Sequence, residues 1–359
     1  VLDNRFLEGG SYIAYGLTMV MLILVLFIGT EVNGAKSWLV IGGQRFQPSE
    51  FAKVATAMAL ARYMSTQNFS FHNLPQAMVA FAIVLFPGLI VIFQNDTGSA
   101  LVFGSFLIVF FREGLNPFVL IVLLLLGAVA VATLWIDSWL IVSGAVLLLA
   151  LATFLIMFDK RRWLRNSLSH LVVAVLLCGF AYSVDSIVDK LQEHQRNRIM
   201  VLFEPDLDPQ GKGYNVIQSK IAIGSGGLSG KGFLEGNYTK YRFVPKQETD
   251  FIFCTIGEER GWLGTSLVVL LFFSLIWRVK YLAENSKTRY ARVYGYSVLS
   301  ILFFHVMVNI GMTIGLMPVI GIPLPFFSYG GSSLLAFSMM IFILVNLYSY
   351  RATVLGSKY

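Results

Sequence analysis

Asp250 stands where a polar, Lys- and Arg-rich loop meets the apolar run from Phe251 to Trp277, in the stretch Lys246-Gln247-Glu248-Thr249-Asp250-Phe251. A carboxylate at the mouth of a membrane helix, beside basic side chains, suits general-base chemistry on an anionic substrate carried in the membrane. The competing reading is that Thr249 and Asp250 cap the helix that follows. Glu50 and Lys53 form a second constellation. Three residues apart, they share a helix face and can pair. A charge at membrane depth costs roughly 2.5–3.5 kcal/mol, so such a pair is expected to face a polar cavity reaching towards Asp250, or another helix. Pro48 and Glu50 are also ordinary helix-start signals. Arg196 and Arg198, flanking Asn197, suit bidentate phosphate contacts and equally suit lipid headgroups. Gly224 to Gly232, with Lys231, can present N–H groups to a phosphate. It lacks the Walker spacing, and a turn is the better reading. Gln94 to Gly98 also reads as a turn, and His305 and Asn309, four apart, as residues bonding between helices.

The elements that must position these residues are membrane helices. The chain has 359 residues, 56% of them hydrophobic and 13% charged, with a mean hydropathy of +0.71. That composition excludes an ordinary soluble domain. The net charge of +7 sits in loops, where it suits membrane lipids, and offers no nucleic-acid platform. Cys178 and Cys254 have no metal-ligand spacing, and the histidines are scattered. A helix needs roughly 20 mainly apolar residues to span a bilayer. The runs at about 11–30, 48–65, 75–94, 98–112, 116–136, 138–158, 168–187, 251–278, 293–315 and 332–349 predict about ten spans. The fold class is therefore an all-α polytopic integral membrane protein. The basic stretches Asp159 to Arg165 and Arg278 to Arg292 belong in the cytoplasm, which puts the long loop 188–250 outside. Within that loop Tyr214 to Gly224 predicts a short interfacial helix.

The segments GAKSW (34–38), RFQPSEFAK (45–53), QNDTGSA (94–100), IQSKIAIGSGGLSGKG (217–232), ETDFIF (248–253) and PLPFFSYGG (323–331) together resemble the SEDS family (shape, elongation, division and sporulation). The resemblance runs from about residue 11 to the C-terminus and favours the cell-elongation branch. It implies one membrane domain over 1–359, in the bacterial cytoplasmic membrane with its active site on the extracytoplasmic side. It further implies a peptidoglycan glycosyltransferase that polymerises lipid II, with a class B penicillin-binding protein, a transpeptidase, as partner. Asp250 matches the family's essential aspartate, and Glu50 and Lys53 match its PSE-x-x-K motif. Asp250 is then the base that activates the acceptor hydroxyl. Lys53, Arg196, Arg198 and Lys246, or a divalent cation such as Mg or Mn, would hold the leaving pyrophosphate, with Glu50 orienting Lys53. Against the family pattern, two N-terminal spans are expected to be missing and 116–158 to be an inserted, peripheral helical hairpin. The rival readings are a flippase for a lipid-linked sugar and a scaffold for cell-wall enzymes.

Overall fold

The structure is a computed structural model that describes residues 3–32, 34–66, 68–136, 138–156, 163–190, 212–317 and 319–356. It divides into two units, one of residues 1–115 and 215–359 and one of residues 116–214.

The first unit opens with α1 (Asn4–Ile28), whose N-terminus is capped by the Asp3 side chain. A three-stranded antiparallel sheet follows, β1 (Thr30–Val32), β2 (Ala35–Ile41) and β3 (Gln44–Phe46). This small sheet is the one strand element among the described residues of a chain that is otherwise helical, in keeping with the all-α expectation. The β2–β3 turn is Gly42-Gly43, both at positive φ, as a tight hairpin turn requires. Lys36 on β2 donates to the carbonyls of Leu26 and Phe27 at 2.9 and 3.1 Å, satisfying the C-terminal end of α1.

β3 leads into α2 (Pro48–Met64), with Pro48 in its first turn and Glu50 just behind it. By hydropathy this is the weakest of the expected spans, yet it is buried on every side, with Ala52, Ala57, Ala59, Leu60 and Ala61 all at zero exposure. A helix buried all round sits inside a bundle, and small side chains let its neighbours come close. Of the charges that weaken its apolar character, Glu50 and Lys53 are buried against protein, while Arg62 in the last turn is partly exposed and pairs with Glu8. Then come α3 (Leu74–Phe93) and a broken pair, α4 (Thr97–Gly104) and α5 (Leu107–Arg112).

The second unit holds α6 (Pro117–Ile136), α7 (Trp139–Ile156) and α8 (Trp163–Lys190). Val129, Val142 and Ala181 form their shared core, one residue from each helix. The expected hairpin of 116–158 is therefore packed together with α8; its turn residue Asp137 lies outside the described residues.

The first unit resumes at Asn215, within α9 (Lys212–Ser225), the expected interfacial helix, followed by a single turn, α10 (Asn237–Lys240). It ends in three long helices, α11 (Ile252–Glu284), α12 (Arg289–Thr313) and α13 (Gly331–Gly356). Seven helices among the described residues are long and apolar enough to cross a membrane. Of the other expected spans, α2 has 17 residues and carries charge, 98–112 is broken in two, and α7 falls among the shorter apolar helices. α12 is the other interior helix, with Ser297, Ser300, His305 and Asn309 fully buried.

Candidate active site

Asp250 is presented by a tight turn. Lys246 takes a positive φ of 59°, and its carbonyl accepts from the N–H groups of Thr249 (3.0 Å) and Phe251 (3.2 Å). The N-cap position of α11 falls on Phe251, and the Thr249 hydroxyl donates back to the Lys246 carbonyl. Asp250 therefore lies one residue before the capping position. Phe251 anchors the turn from below, in a buried cluster with Val216 and Ala222 of α9, Val244, Cys254 and Val319. The expected interfacial helix is thus a wall of this site: Val216, Ser219 and Ala222 face inward, and Ser219 donates to the Thr313 carbonyl at 2.9 Å.

The turn is stapled to the loop between α12 and α13. Tyr329 N–H donates to the Glu248 carbonyl at 2.8 Å. Ser328 Oγ donates to the Thr249 carbonyl (2.6 Å) and accepts from Leu324 N–H (2.7 Å). Asn309 Nδ2 donates to both the Asp250 carbonyl (2.9 Å) and the Ile322 carbonyl (2.8 Å). The Asp250 carboxylate lies against Gly321, where an added Cβ would sit 3.4 Å from Oδ2 and the φ is +72°. Lys246 Nζ is 4.0 Å from Oδ2, and the Asp250 side chain is 17% exposed.

The same loop and the start of α13 meet two further motif segments. Gln47 N–H donates to Ser332 Oγ, and Gln47 Nε2 to Asp96 Oδ2 at 2.9 Å. Asp96 also caps α4 by accepting from Ser99 N–H, as its turn reading implied, and Gly98 fits against the Ile320 carbonyl with no room for a Cβ. Glu50 and Lys53 form a 2.8 Å ion pair at 2% and 0% exposure. Lys53 Nζ also lies 3.1 Å from His305 Nε2 and over the Phe337 ring. The pair therefore faces α12 and α13 in the protein interior, where the sequence suggested a polar cavity or another helix. Their spacing in the sequence marks His305 and Asn309 as interhelical residues. They prove to bridge α12 to the Lys53 ammonium and to the Asp250 loop, and their shared face at a spacing of four is the signal that marks them.

The glycine-rich segment is committed elsewhere. Gly230, Lys231 and Gly232 donate their N–H groups to the carbonyls of Gly226, Glu258 and Glu259. Gly226 and Gly230 approach the α11 backbone so closely that a Cβ on either would overlap the Gly257 or Glu259 carbonyl. α11 kinks there at Gly261 (φ 64°). Lys231 pairs with the buried Glu258 at 2.9 Å. This is a backbone-packed turn rather than a phosphate cradle. Arg196 and Arg198 lie outside the described residues. Among the described residues no group of three or more His, Cys, Asp and Glu side chains comes together. These residues do not supply a cage for a divalent cation.

The FtsW/RodA/SpoVE model, described as cell cycle protein, matches residues 1–144 and 141–353. The peptidoglycan glycosyltransferase MrdB of Escherichia coli K12 is 34% identical over 98% of this chain and 80% of its own. The peptidoglycan glycosyltransferase RodA of Treponema pallidum is 35% identical over 92% and 81%. Among solved structures, one described as structural coordination of polymerization and crosslinking by a peptidoglycan synthase complex superposes with a TM-score of 0.66 at 28% identity, over 98% of this chain and 83% of that one. The rod shape determining protein RodA of Thermus thermophilus gives 0.57 at 25% identity, over 98% and 80%. With several of its motif segments meeting around Asp250 and nearly its whole length matched, the chain belongs to the FtsW/RodA/SpoVE family of polytopic membrane proteins, the SEDS family.

Proposed function

We propose that the chain polymerises lipid II into glycan strands on the extracytoplasmic face of the bacterial cytoplasmic membrane, in cell elongation. The observation that carries this reading is Asp250, a carboxylate fixed through its own backbone at the meeting point of the motif segments, partly open, with an ammonium 4.0 Å away. The names of the relatives support the same activity. The acceptor's 4-hydroxyl attacks C1 of the donor sugar. Its proton passes to Asp250, the bond from C1 to the pyrophosphate oxygen breaks, and undecaprenyl pyrophosphate leaves. A base so placed contributes about 10²–10⁴ in rate. Lys246, which is exposed, is the described cation beside Asp250 that the leaving group can use. Lys53 is enclosed, so its part is to position α2 against α12, with Glu50 as its counter-ion. A class B penicillin-binding protein is the proposed partner, in line with the synthase complex among the similar structures.

The test is purified chain in detergent with lipid II, where no bilayer has to be crossed. Glycan strands separate polymerase from flippase and from scaffold. Asp250→Asn, nearly isosteric, is expected to lower the rate by about 10² or more; near-native synthesis by a folded Asn variant removes Asp250 from the mechanism.

A further inference from the structure

We infer that His305 is a positioning residue for Asp250, tying the buried Lys53 ammonium to the loop on which the Asp250 carboxylate rests. The inference builds on the polymerase reading above. His305 is fully buried. Its Nδ1 is 3.0 Å from the Pro323 carbonyl and its Nε2 is 3.1 Å from Lys53 Nζ. A carbonyl only accepts and an ammonium only donates, so Nδ1 carries the proton and Nε2 the lone pair. The ring is neutral, in one tautomer, with both nitrogens used.

Three consecutive loop residues then hold the site. Gly321 faces the Asp250 carboxylate, so that a Cβ there would come 3.4 Å from Oδ2. The Ile322 carbonyl receives Asn309, which also holds the Asp250 carbonyl. The Pro323 carbonyl receives His305. Behind His305 the line continues through Lys53 to Glu50 Oε1. Pro323 is two residues from Gly321, so a shift of its carbonyl is passed to the surface supporting the carboxylate. Misplacing a reacting group by about 1 Å can cost about 10² in rate. The rival role is packing, because the imidazole also stands edge-on to Phe337 with ring centroids 4.9 Å apart.

Two substitutions separate the roles. His305→Gln keeps an acceptor for Lys53 and a donor for Pro323 but has no ring. His305→Phe keeps a ring against Phe337 and loses both bonds. Initial rates are measured on full-length chain in detergent over a range of lipid II concentrations, per folded protein from gel filtration. His305→Gln is expected to stay within about threefold of wild type. His305→Phe is expected to lose about tenfold or more in kcat with KM changed by no more than about twofold. Equal variants, or Phe better than Gln, overturn the inference. Should neither variant fold, ¹⁵N-histidine NMR of a chain whose other histidines are replaced reads the tautomer directly. A proton on Nδ1 upholds the geometry, and one on Nε2 overturns it. A wild-type chain that makes no glycan overturns the polymerase reading and this inference with it. An active wild type whose Phe variant matches its Gln variant overturns the inference alone.

Discussion

Replacing Lys53 with Met strikes the buried pair at its most exposed weakness, which is energetic. Glu50 is 2% exposed and Lys53 is its ion partner at 2.8 Å; its second oxygen, Oε2, is buried with no hydrogen-bond partner among the described residues. Met fills about the same volume as the lysine stem, so packing changes little and the loss is electrostatic. Breaking a buried pair from one side leaves an uncompensated charge and costs about 3–5 kcal/mol. Replacing both members by apolar residues is close to neutral, so Glu50→Leu combined with Lys53→Met is expected to regain most of that loss. His305 Nε2 loses its donor in both variants, so that contribution cancels in the comparison. The measurement is reversible unfolding in mixed detergent micelles, followed by tryptophan fluorescence, for wild type, both single variants and the double. A coupling energy of about 2 kcal/mol or more is expected. The reasoning is refuted if Lys53→Met costs under about 1 kcal/mol, or if the double variant is as unstable as Lys53→Met alone.

Asn309→Asp replaces the amide that serves the Asp250 and Ile322 carbonyls with a carboxylate that repels them. Unfolding should show a loss of about 2–4 kcal/mol and glycan synthesis a fall of more than about tenfold; an unchanged rate would discard the staple. Gly321→Ala puts a side chain at φ +72° and 3.4 Å from Asp250 Oδ2, with a backbone strain of about 1–2 kcal/mol. Its kcat should fall further than that strain alone explains, and a purely thermal defect would argue against carboxylate support. Gly226→Ala drives a Cβ into the Gly257 carbonyl, so the 226–232 turn should lift from α11. Limited proteolysis should then cut that turn faster than in wild type, and equal cutting rates would contradict the close packing.

The local parts of this site were legible in the chain. Glu50 and Lys53 pair because they lie three apart on one helix, and Asp250 stands out because a charge at a loop–span junction needs a reason. What stayed hidden is tertiary. Hydropathy ranks α2 as the weakest span because it scores a helix against lipid, whereas α2 is surrounded by protein. The sheet at 30–46 consists of strands too short to register among 20-residue spans, although Gly42-Gly43 marks its turn. His305 meets Lys53 across 252 residues of sequence, and no local pattern encodes that meeting. The glycine run illustrates the converse: a pattern open to phosphate binding is resolved only by the backbone packed against it.

The distance between Lys53 and its partners along the chain also sets a schedule for biogenesis. At roughly 5–20 residues per second of synthesis, the 252 residues from Lys53 to His305 separate their emergence by roughly 10–50 s, and Phe337 follows later still. Throughout that interval α2 must wait in or beside the bilayer before the helices that enclose it exist. Its ammonium and carboxylate are neighbours on the same helix, so they can neutralise each other from the moment the segment forms. The ion pair thus serves as an internal chaperone for its own helix, carrying two charges through assembly until α12 and α13 arrive to seal them in.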